Sequence, residues 1–177
     1  SSTIWCTLSE REAGRAWVWD IEYAAEGVPV GVYITARDST VGKDLRYRYA
    51  RFSEGTGQWE GREIAYAGTR LYQGENHYAG GISIDPSHPD TVYASADVDP
   101  ETGDDTETGR YQLYRGTRGE GGQPWNWTQL TQSAEADNLR PFVPRSGEGH
   151  RAVLWFRGEY SSYQEYDTDI VGIINIH

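Results

Sequence analysis

The chain has 177 residues, enough for one domain with a sizeable core, yet only 37% of them are hydrophobic. Its formal net charge of −11 argues against binding nucleic acid or an anionic membrane surface, because both require a basic face. Large side chains are mainly 7 Trp and 13 Tyr, and 21 Gly separate short β-rich runs. This composition indicates an all-β protein.

Three units of similar plan follow one another along the chain. The first contains the alternating runs AWVWDIEYA, PVGVYITARD, DLRYRYAR and WEGREIAYA. In the first run, Trp17, Trp19, Ile21 and Tyr23 are expected on one face of a strand. The second unit contains YAGGISIDP, TVYASADVD, RYQLYRGT and WNWTQLTQ, and the third contains NLRPFVPR, RAVLWFRG and DIVGIINI. The runs DLRYRYAR and RYQLYRGT alternate with the period of two that predicts a β-strand, and RAVLWFRG contains five consecutive apolar residues, as a buried strand does.

A Gly-rich turn recurs in the first two units. Glu54 is followed five residues later by Trp59, and Glu120 by Trp125, each time between two predicted strands. These turns resemble degenerate Asp-boxes. Four strands with a recurring turn predict a propeller blade, so the fold class is an all-β β-propeller of about two and three-quarter blades. The blades are expected at about residues 14–68, 69–133 and 134–177.

Propellers usually close a ring of about four to eight blades. We therefore expect the remaining blades to come from a longer chain or a second chain; association of copies of this chain is the alternative. The absence of methionine, even at the first position, favours a processed or excised chain.

A longer resemblance is carried by the segments YAGGISIDPSHPDTVYASADVDPETG, LYRGTRGEGGQPWNWTQLT, DNLRPFVPR and LWFRGEYSSYQEYDTDIVG. Together they resemble the C-terminal half of the BNR-4 repeat proteins, which include ulvan lyases and related polysaccharide lyases. The resemblance covers Gly31 to Ile174. It implies a seven-bladed propeller, secreted or periplasmic, that acts on an acidic polysaccharide; activity transfers less securely than fold.

Elimination at a uronic acid requires a cation for the sugar carboxylate, a base and an acid. Arg140 or Arg157 is expected to neutralise the carboxylate, because a guanidinium matches it bidentately. Tyr160 is the expected proton-transfer group, and His77 an orienting or neutralising one. Arg157 and Tyr160 are expected in a loop past an apolar strand, at one mouth of the ring. The expected substrate-binding residues are Tyr78, Asn138, Trp155 and Tyr163.

Structural roles and two other functions stay open. The arginines could form ion pairs between blades, and the tyrosines could pack against a neighbouring blade. A sialidase-type glycoside hydrolase would need paired carboxylates or an activated tyrosine with arginines. The acids near predicted strand ends are Asp20, Glu22 and Asp167. A non-catalytic binding propeller would use Trp155, Tyr160, Tyr163 and Tyr166 to stack on sugar rings.

Cofactors are not expected. No CxxC or HExxH spacing is present, so the sequence does not support a transition-metal site. The acidic run from Asp97 to Gly109 could hold Ca²⁺, but it lacks the ligand spacing of a dedicated calcium loop. A solvated hairpin loop is the interpretation we favour. No apolar run approaches the length of a transmembrane helix.

Overall fold

The structure, a computed structural model, describes residues 16–36, 44–145 and 151–174, and the described residues form eleven β-strands in antiparallel sheets. The strands are β1 (Ala16–Tyr23), β2 (Pro29–Ala36), β3 (Leu45–Ser53), β4 (Gln58–Gly68), β5 (Ile82–Ile84), β6 (Thr91–Ala96), β7 (Gln112–Thr117), β8 (Asn126–Gln129), β9 (Asp137–Phe142), β10 (Ala152–Ser162) and β11 (Glu165–Ile174). Single 3-10 turns lie at Ala25–Gly27 and Glu120–Gly122.

The strands form three sheets in chain order. The first sheet has the order β1-β2-β3-β4, the second β5-β6-β7-β8, and the third β9-β10-β11. β5 lies against both β1 and β9, so the first strands of the three sheets are neighbours. This is the arrangement of propeller blades whose inner strands surround an axis. All eleven predicted runs form strands.

The hydrophobic core lies between adjacent sheets. Between the first and second sheets, apolar residues of β2, β3, β5 and β6 are buried, because both faces of these strands are covered. They include Val30, Val32, Ile34, Tyr47, Ile82, Ile84 and Val92. Between the second and third sheets, the buried residues are Tyr93, Leu113, Val143, Val153 and Trp155.

A chain of buried hydrogen bonds joins the three sheets near the axis. The Tyr47 hydroxyl donates to the carbonyl oxygen of Ser95 at 2.8 Å and accepts from the Gly81 N–H at 2.8 Å. The Ser95 hydroxyl donates to the carbonyl oxygen of Asn138 at 2.5 Å. Asp20 of β1 also accepts from the backbone N–H of Ile84 in β5 at 2.9 Å. The relative position of the inner strands is therefore set by polar contacts within the core.

The prediction that Trp17, Trp19, Ile21 and Tyr23 share one face of β1 is wrong. Trp17 pairs with Ile34, but Ile21 pairs with Gly31, because the register shifts between Val18 and Asp20. A β-bulge of this kind inserts one residue and reverses the faces that follow it. Trp17 and Ile21 consequently point to opposite sides of the sheet.

The third sheet leaves one apolar face uncovered. Phe142, Ile170 and Ile174 are 58%, 70% and 70% exposed. They share a face, because their partners Leu154, Phe156 and Ala152 alternate along β10. The opposite face of the same sheet packs against the second sheet through Val153 and Trp155.

Candidate functional site

One arginine is surrounded by aromatic rings at the end of the molecule where the inner strands begin. Arg140 lies in β9, and the rings come from the first and third sheets and from the loop between β4 and β5. We call this group the aromatic cluster. Its members are Trp17, Trp19, Tyr72, Tyr78, Phe156, Tyr160 and Tyr166.

A bulge in β9 positions Arg140. Leu154 pairs with Phe142 and Phe156 pairs with Leu139, so Arg140 and Pro141 together face a single residue of β10. Proline has no N–H to donate to the ladder and is tolerated at such a bulge. Arg140 has a φ of 52°, and its N–H donates to the carbonyl oxygen of Gly80 at 2.6 Å. Bulges of this type redirect a side chain, here towards the aromatic cluster.

The Arg140 guanidinium is held by a tyrosine hydroxyl and by ring faces. Its Nη2 donates to the Tyr160 hydroxyl oxygen at 2.5 Å. Its Cζ lies 4.8 Å from the ring centre of Tyr160 and 5.3 Å from that of Tyr78. These are cation–π distances. The Nε atom is buried and forms no hydrogen bond with the described residues. No carboxylate of the described residues forms an ion pair with this guanidinium.

Two tyrosines beside Arg140, Tyr72 and Tyr78, are protonated at neutral pH. Burial raises the pKa of Tyr78, and the Arg140 guanidinium opposes that rise. Burial likewise raises the pKa of Tyr72, helped by Glu75 and opposed by Arg140. Desolvation disfavours the phenolate more than the neighbouring cation favours it. Tyr72 and Tyr78 can therefore act as neutral hydrogen-bond donors and acceptors.

Tyr160 connects the guanidinium with exposed rings. It is 8% exposed, and its ring centre lies 6.0 Å from that of Tyr72 and 5.9 Å from that of Tyr166. Tyr166 stacks on it with an interplanar angle of 16° and is 61% exposed. Tyr163, in the turn between β10 and β11, is 66% exposed. The aromatic cluster therefore has a buried end at Tyr160 and an exposed end at the Tyr166 ring.

Arg157 does not lie beside Tyr160 as expected. β10 continues to Ser162, so both residues belong to the strand and not to a loop, and three positions apart they point to opposite faces. Arg157 instead lines a groove of about 450 Å³ between the second and third sheets, together with Trp155 and Glu135. The structure therefore places the two predicted arginines at different surfaces.

Asn138 and Trp155 are buried and contact each other. The indole N–H of Trp155 donates to the Asn138 side-chain oxygen at 2.8 Å. The Asn138 side-chain nitrogen donates to the carbonyl oxygen of Tyr111 at 3.3 Å. Trp155 is 7% exposed, so little of its ring is free to stack on a ligand. These hydrogen bonds form a buried network that holds β9 in place.

His77 lies in the loop between β4 and β5, next to Tyr78. Its Nε2 is buried and has no hydrogen-bond partner among the described residues. No hydrogen bond or ion pair joins it to Arg140 or Tyr160. The loop itself is closed by a hydrogen bond from the Leu71 N–H to the carbonyl oxygen of Tyr78 at 2.7 Å.

Two of the three acids considered for a hydrolase have structural partners. Asp20 accepts hydrogen bonds from the Ser83 hydroxyl and the Ile84 N–H, both at 2.9 Å. Glu22 forms an ion pair with Arg145. Asp167 is exposed on β11. None of these acids forms a hydrogen bond or ion pair with Arg140.

Two carboxylates of the acidic loop, Asp97 to Gly109, accept hydrogen bonds from backbone N–H groups. Asp99 accepts from the N–H groups of Glu101 and Thr102 at 2.8 and 2.9 Å, and Asp97 accepts from the Thr69 N–H at 3.0 Å. Within the described part of the chain, no three His, Cys, Asp or Glu side chains are grouped as metal ligands would be.

Sequence reasoning missed Trp17, Trp19 and Tyr72 as members of the site. Trp17 and Trp19 contact Tyr78 with ring centres 6.1 and 5.0 Å apart, and Tyr72 contacts Tyr78 at 5.9 Å. The available signal was that β1 is the inner strand of its blade, which places its first residues beside the loop that enters the next blade.

Comparisons with known proteins support the fold. No family model matches the sequence, and no curated protein matches it. Among solved structures, a Hadza microbial sialidase, Hz136, aligns over 84% of this chain with a TM-score of 0.50 and 15% sequence identity. The chain spans 35% of that protein. The predicted all-β, partial propeller fold is confirmed.

The described residues contain only the two short 3-10 turns as helices, and neither has the length and apolar character needed to cross a membrane.

Proposed function

We propose that the chain forms part of a propeller that binds an acidic polysaccharide at the aromatic cluster and cleaves it by β-elimination. The observation that carries this proposal is the contact between the Arg140 guanidinium and the Tyr160 hydroxyl, with no carboxylate of the described residues paired with the arginine. A cation that no acid of the described residues neutralises is suited to a substrate carboxylate. The resemblance to polysaccharide lyases supports the same chemistry.

In the proposed mechanism, Arg140 holds the uronate carboxylate and stabilises the charge that develops when the adjacent carbon loses its proton. Tyr160 enters this step as the phenolate, and its oxygen takes that proton to become the neutral phenol. The bond from the sugar ring to the glycosidic oxygen breaks, a carbon–carbon double bond forms, and the Tyr160 hydroxyl returns a proton to the departing oxygen. Tyr78 and Tyr72, as neutral phenols, orient the sugar, and the exposed rings of Tyr163 and Tyr166 pack against neighbouring sugar residues.

Arg157, Asn138, Trp155 and His77 have different places in this proposal. Arg157 lies on the other face of β10 and is assigned to a flanking part of the substrate path. Asn138 and Trp155 support the bulge that presents Arg140. His77 orients the loop that carries Tyr78.

A second candidate function is carbohydrate binding without turnover. It is favoured by the exposed rings beside the buried hydroxyl, since Trp17, Tyr163 and Tyr166 are 51%, 66% and 61% exposed. Such rings stack on the apolar faces of sugars without any catalytic group. A sialidase-type hydrolase is the third alternative and differs from the first in its product.

The test is product analysis with the complete protein and uronic acid-containing polysaccharides. Elimination produces an unsaturated sugar that absorbs in the ultraviolet, hydrolysis produces reducing ends without that absorbance, and a binding protein produces neither. We expect Tyr160→Phe to lower turnover by at least about 100-fold, as loss of a general acid–base group does. Tyr114→Phe, in β7 and outside the cluster, is the matched control. Near-normal turnover of Tyr160→Phe would remove Tyr160 from the chemistry.

The same proposal includes partners and location. Further blades, in a ring that the BNR-4 resemblance suggests is seven-bladed, would cover the exposed face formed by Phe142, Ile170 and Ile174. An acidic polysaccharide substrate implies a secreted or periplasmic protein. The proposed mechanism requires no metal ion or organic cofactor. Binding of Ca²⁺ by the acidic loop between Asp97 and Gly109 is the alternative with the least support.

A further inference from the structure

A second groove lies away from the aromatic cluster, where β4 of the first sheet meets the second sheet. It has a volume of about 410 Å³ and is lined by Arg62, Tyr66, Pro100, Glu101, Trp125 and Trp127. That volume is within the range of about 300–1,000 Å³ found for small-molecule sites. The walls come from β4, the acidic loop and the segment entering β8.

Two tryptophans form one wall of the groove. The ring centres of Trp125 and Trp127 are 6.3 Å apart with an interplanar angle of 27°. Trp125 is 4% exposed and also packs on Tyr49, whereas Trp127 is half-buried. The Trp127 indole N–H donates to the carbonyl oxygen of Ile64 at 3.2 Å, which fixes its ring against β4. The exposed part of Trp127 is a rigid apolar surface.

Two buried donors that line the groove have no partner among the described residues. They are Nη2 of Arg62 and the indole Nε1 of Trp125. A buried donor without an acceptor costs about 1–3 kcal/mol, so two of them at one groove require an explanation. Both groups donate and neither accepts. A ligand that fits them must supply acceptor oxygen atoms.

The charges around the groove favour an anionic group at Arg62. Glu63 also lines the groove, but its carboxylate is bound by Arg46 at 2.7 Å and by Arg48 at 3.6 Å. Glu101 is exposed at the groove's edge and forms no ion pair with Arg62 among the described residues. Among the described residues, Arg62 therefore has no counter-ion, and it lies next to an aromatic wall.

We propose that this groove is a second saccharide site, which binds a carboxylate-bearing sugar residue through Arg62 and the Trp125 indole N–H, with Trp127 against the apolar face of the sugar. The inference rests on the proposed function in that it assigns the same class of polysaccharide to a second surface. An aromatic platform combined with an arginine is the chemistry that recognises an acidic sugar ring.

The test is calorimetric binding of a galacturonic acid tetrasaccharide to the complete protein, with a neutral galactose tetrasaccharide for comparison. Four proteins are compared: unmodified, Arg62→Met, Arg140→Met and, as a matched loss of charge outside both sites, Arg118→Met. We expect Arg62→Met to weaken one binding event at least tenfold or abolish it, and Arg118→Met to leave both events unchanged. Unchanged binding by Arg62→Met, or equal binding of the neutral probe, would overturn the proposal.

The groove and the aromatic cluster predict different outcomes for the variants. If the groove is right and the proposed function wrong, Arg140→Met leaves binding intact while Arg62→Met weakens it. If the reverse holds, only Arg140→Met has an effect. Should Arg62→Met fail to fold, the indole N–H resonance of Trp125 in the unmodified protein, assigned with Trp125→Phe, decides the matter. The acidic probe must shift this resonance, and an unshifted resonance at saturating probe refutes the groove.

Discussion

Tyr47→Phe removes one hydroxyl from the polar chain that joins the sheets. Tyr47 lies in β3 of the first sheet and is fully buried. Its hydroxyl accepts a hydrogen bond from the N–H of Gly81 and donates one to the carbonyl oxygen of Ser95, both at 2.8 Å and both in the second unit. Burial raises the pKa of Tyr47 far above its ordinary value, so the group is a neutral donor and acceptor at all working pH values.

The substitution leaves a buried donor and a buried acceptor unsatisfied. Each costs about 1–3 kcal/mol, and allowing for relaxation we expect the free energy of unfolding to fall by about 2–4 kcal/mol. Loss of the hydrogen bond to the Gly81 N–H is expected to displace the backbone at Gly80 and Gly81. Because the Gly80 carbonyl oxygen accepts from the Arg140 N–H, this displacement also reaches the aromatic cluster. We expect a loss of saccharide binding at the cluster beyond the loss of stability.

Urea unfolding followed by tryptophan fluorescence measures the effect, and an unchanged m-value shows that the compared states are the same. Tyr114→Phe is the control, since Tyr114 is 4% exposed and its hydroxyl has no hydrogen-bond partner among the described residues. Its expected cost is about 0.5 kcal/mol. The reasoning is refuted if Tyr47→Phe costs no more than Tyr114→Phe.

Two further predictions concern the backbone and alkaline pH. Gly81 has a φ of 107°, and a Cβ there would lie 3.2 Å from the Arg140 Cα and 3.3 Å from the Trp19 ring. Gly81→Ala should therefore lower the free energy of unfolding by more than about 1 kcal/mol. Thermal unfolding measures this, and an unchanged melting temperature contradicts it. Burial, with help from Asp90, raises the pKa of Tyr49 to about 12. The folded state thus retains a proton that the unfolded state loses near pH 10, so this stabilisation is complete below pH 10 and disappears as the pH rises to about 12. Tyr49→Phe should flatten the dependence of unfolding free energy on pH in that window, and an identical slope in both proteins would disprove the assignment.

Strand positions could be predicted because they depend on local alternation. Runs such as DLRYRYAR and RYQLYRGT alternate at a period of two, RAVLWFRG is apolar over five consecutive residues, and turns rich in Gly, Pro, Asn or Asp separate the runs. These signals are enough to locate the strands. The bulge in β1 could not be found this way. Trp17 and Ile21 keep the spacing of a regular strand, and only the pairing with β2 shows that they face opposite sides.

The site was predictable in part for the same reason. Arg140 and Tyr160 are in contact, but Arg157 lies on the opposite face of β10, because the strand continues to Ser162 where the sequence predicts a loop after the apolar run. Whether a strand continues from an apolar run into a polar run depends on the neighbouring strand with which it pairs. Here β11 pairs with β10 as far as Ser162, and that partner cannot be read from β10 alone. The Arg-Pro pair at 140–141 was a local signal for the bulge.

Arg140 is subject to two opposed demands. A left-handed backbone costs a residue other than glycine about 1–2 kcal/mol, and asparagine tolerates it better than arginine. The aromatic rings, in contrast, surround a guanidinium and contact its charge. Replacing Arg140 by Gly or Asn would relax the backbone and remove the guanidinium from the cluster, which would exchange the proposed activity for stability. Mutational selection for thermal stability alone should therefore erode this site first, and retention of arginine at this position would be a signature of function.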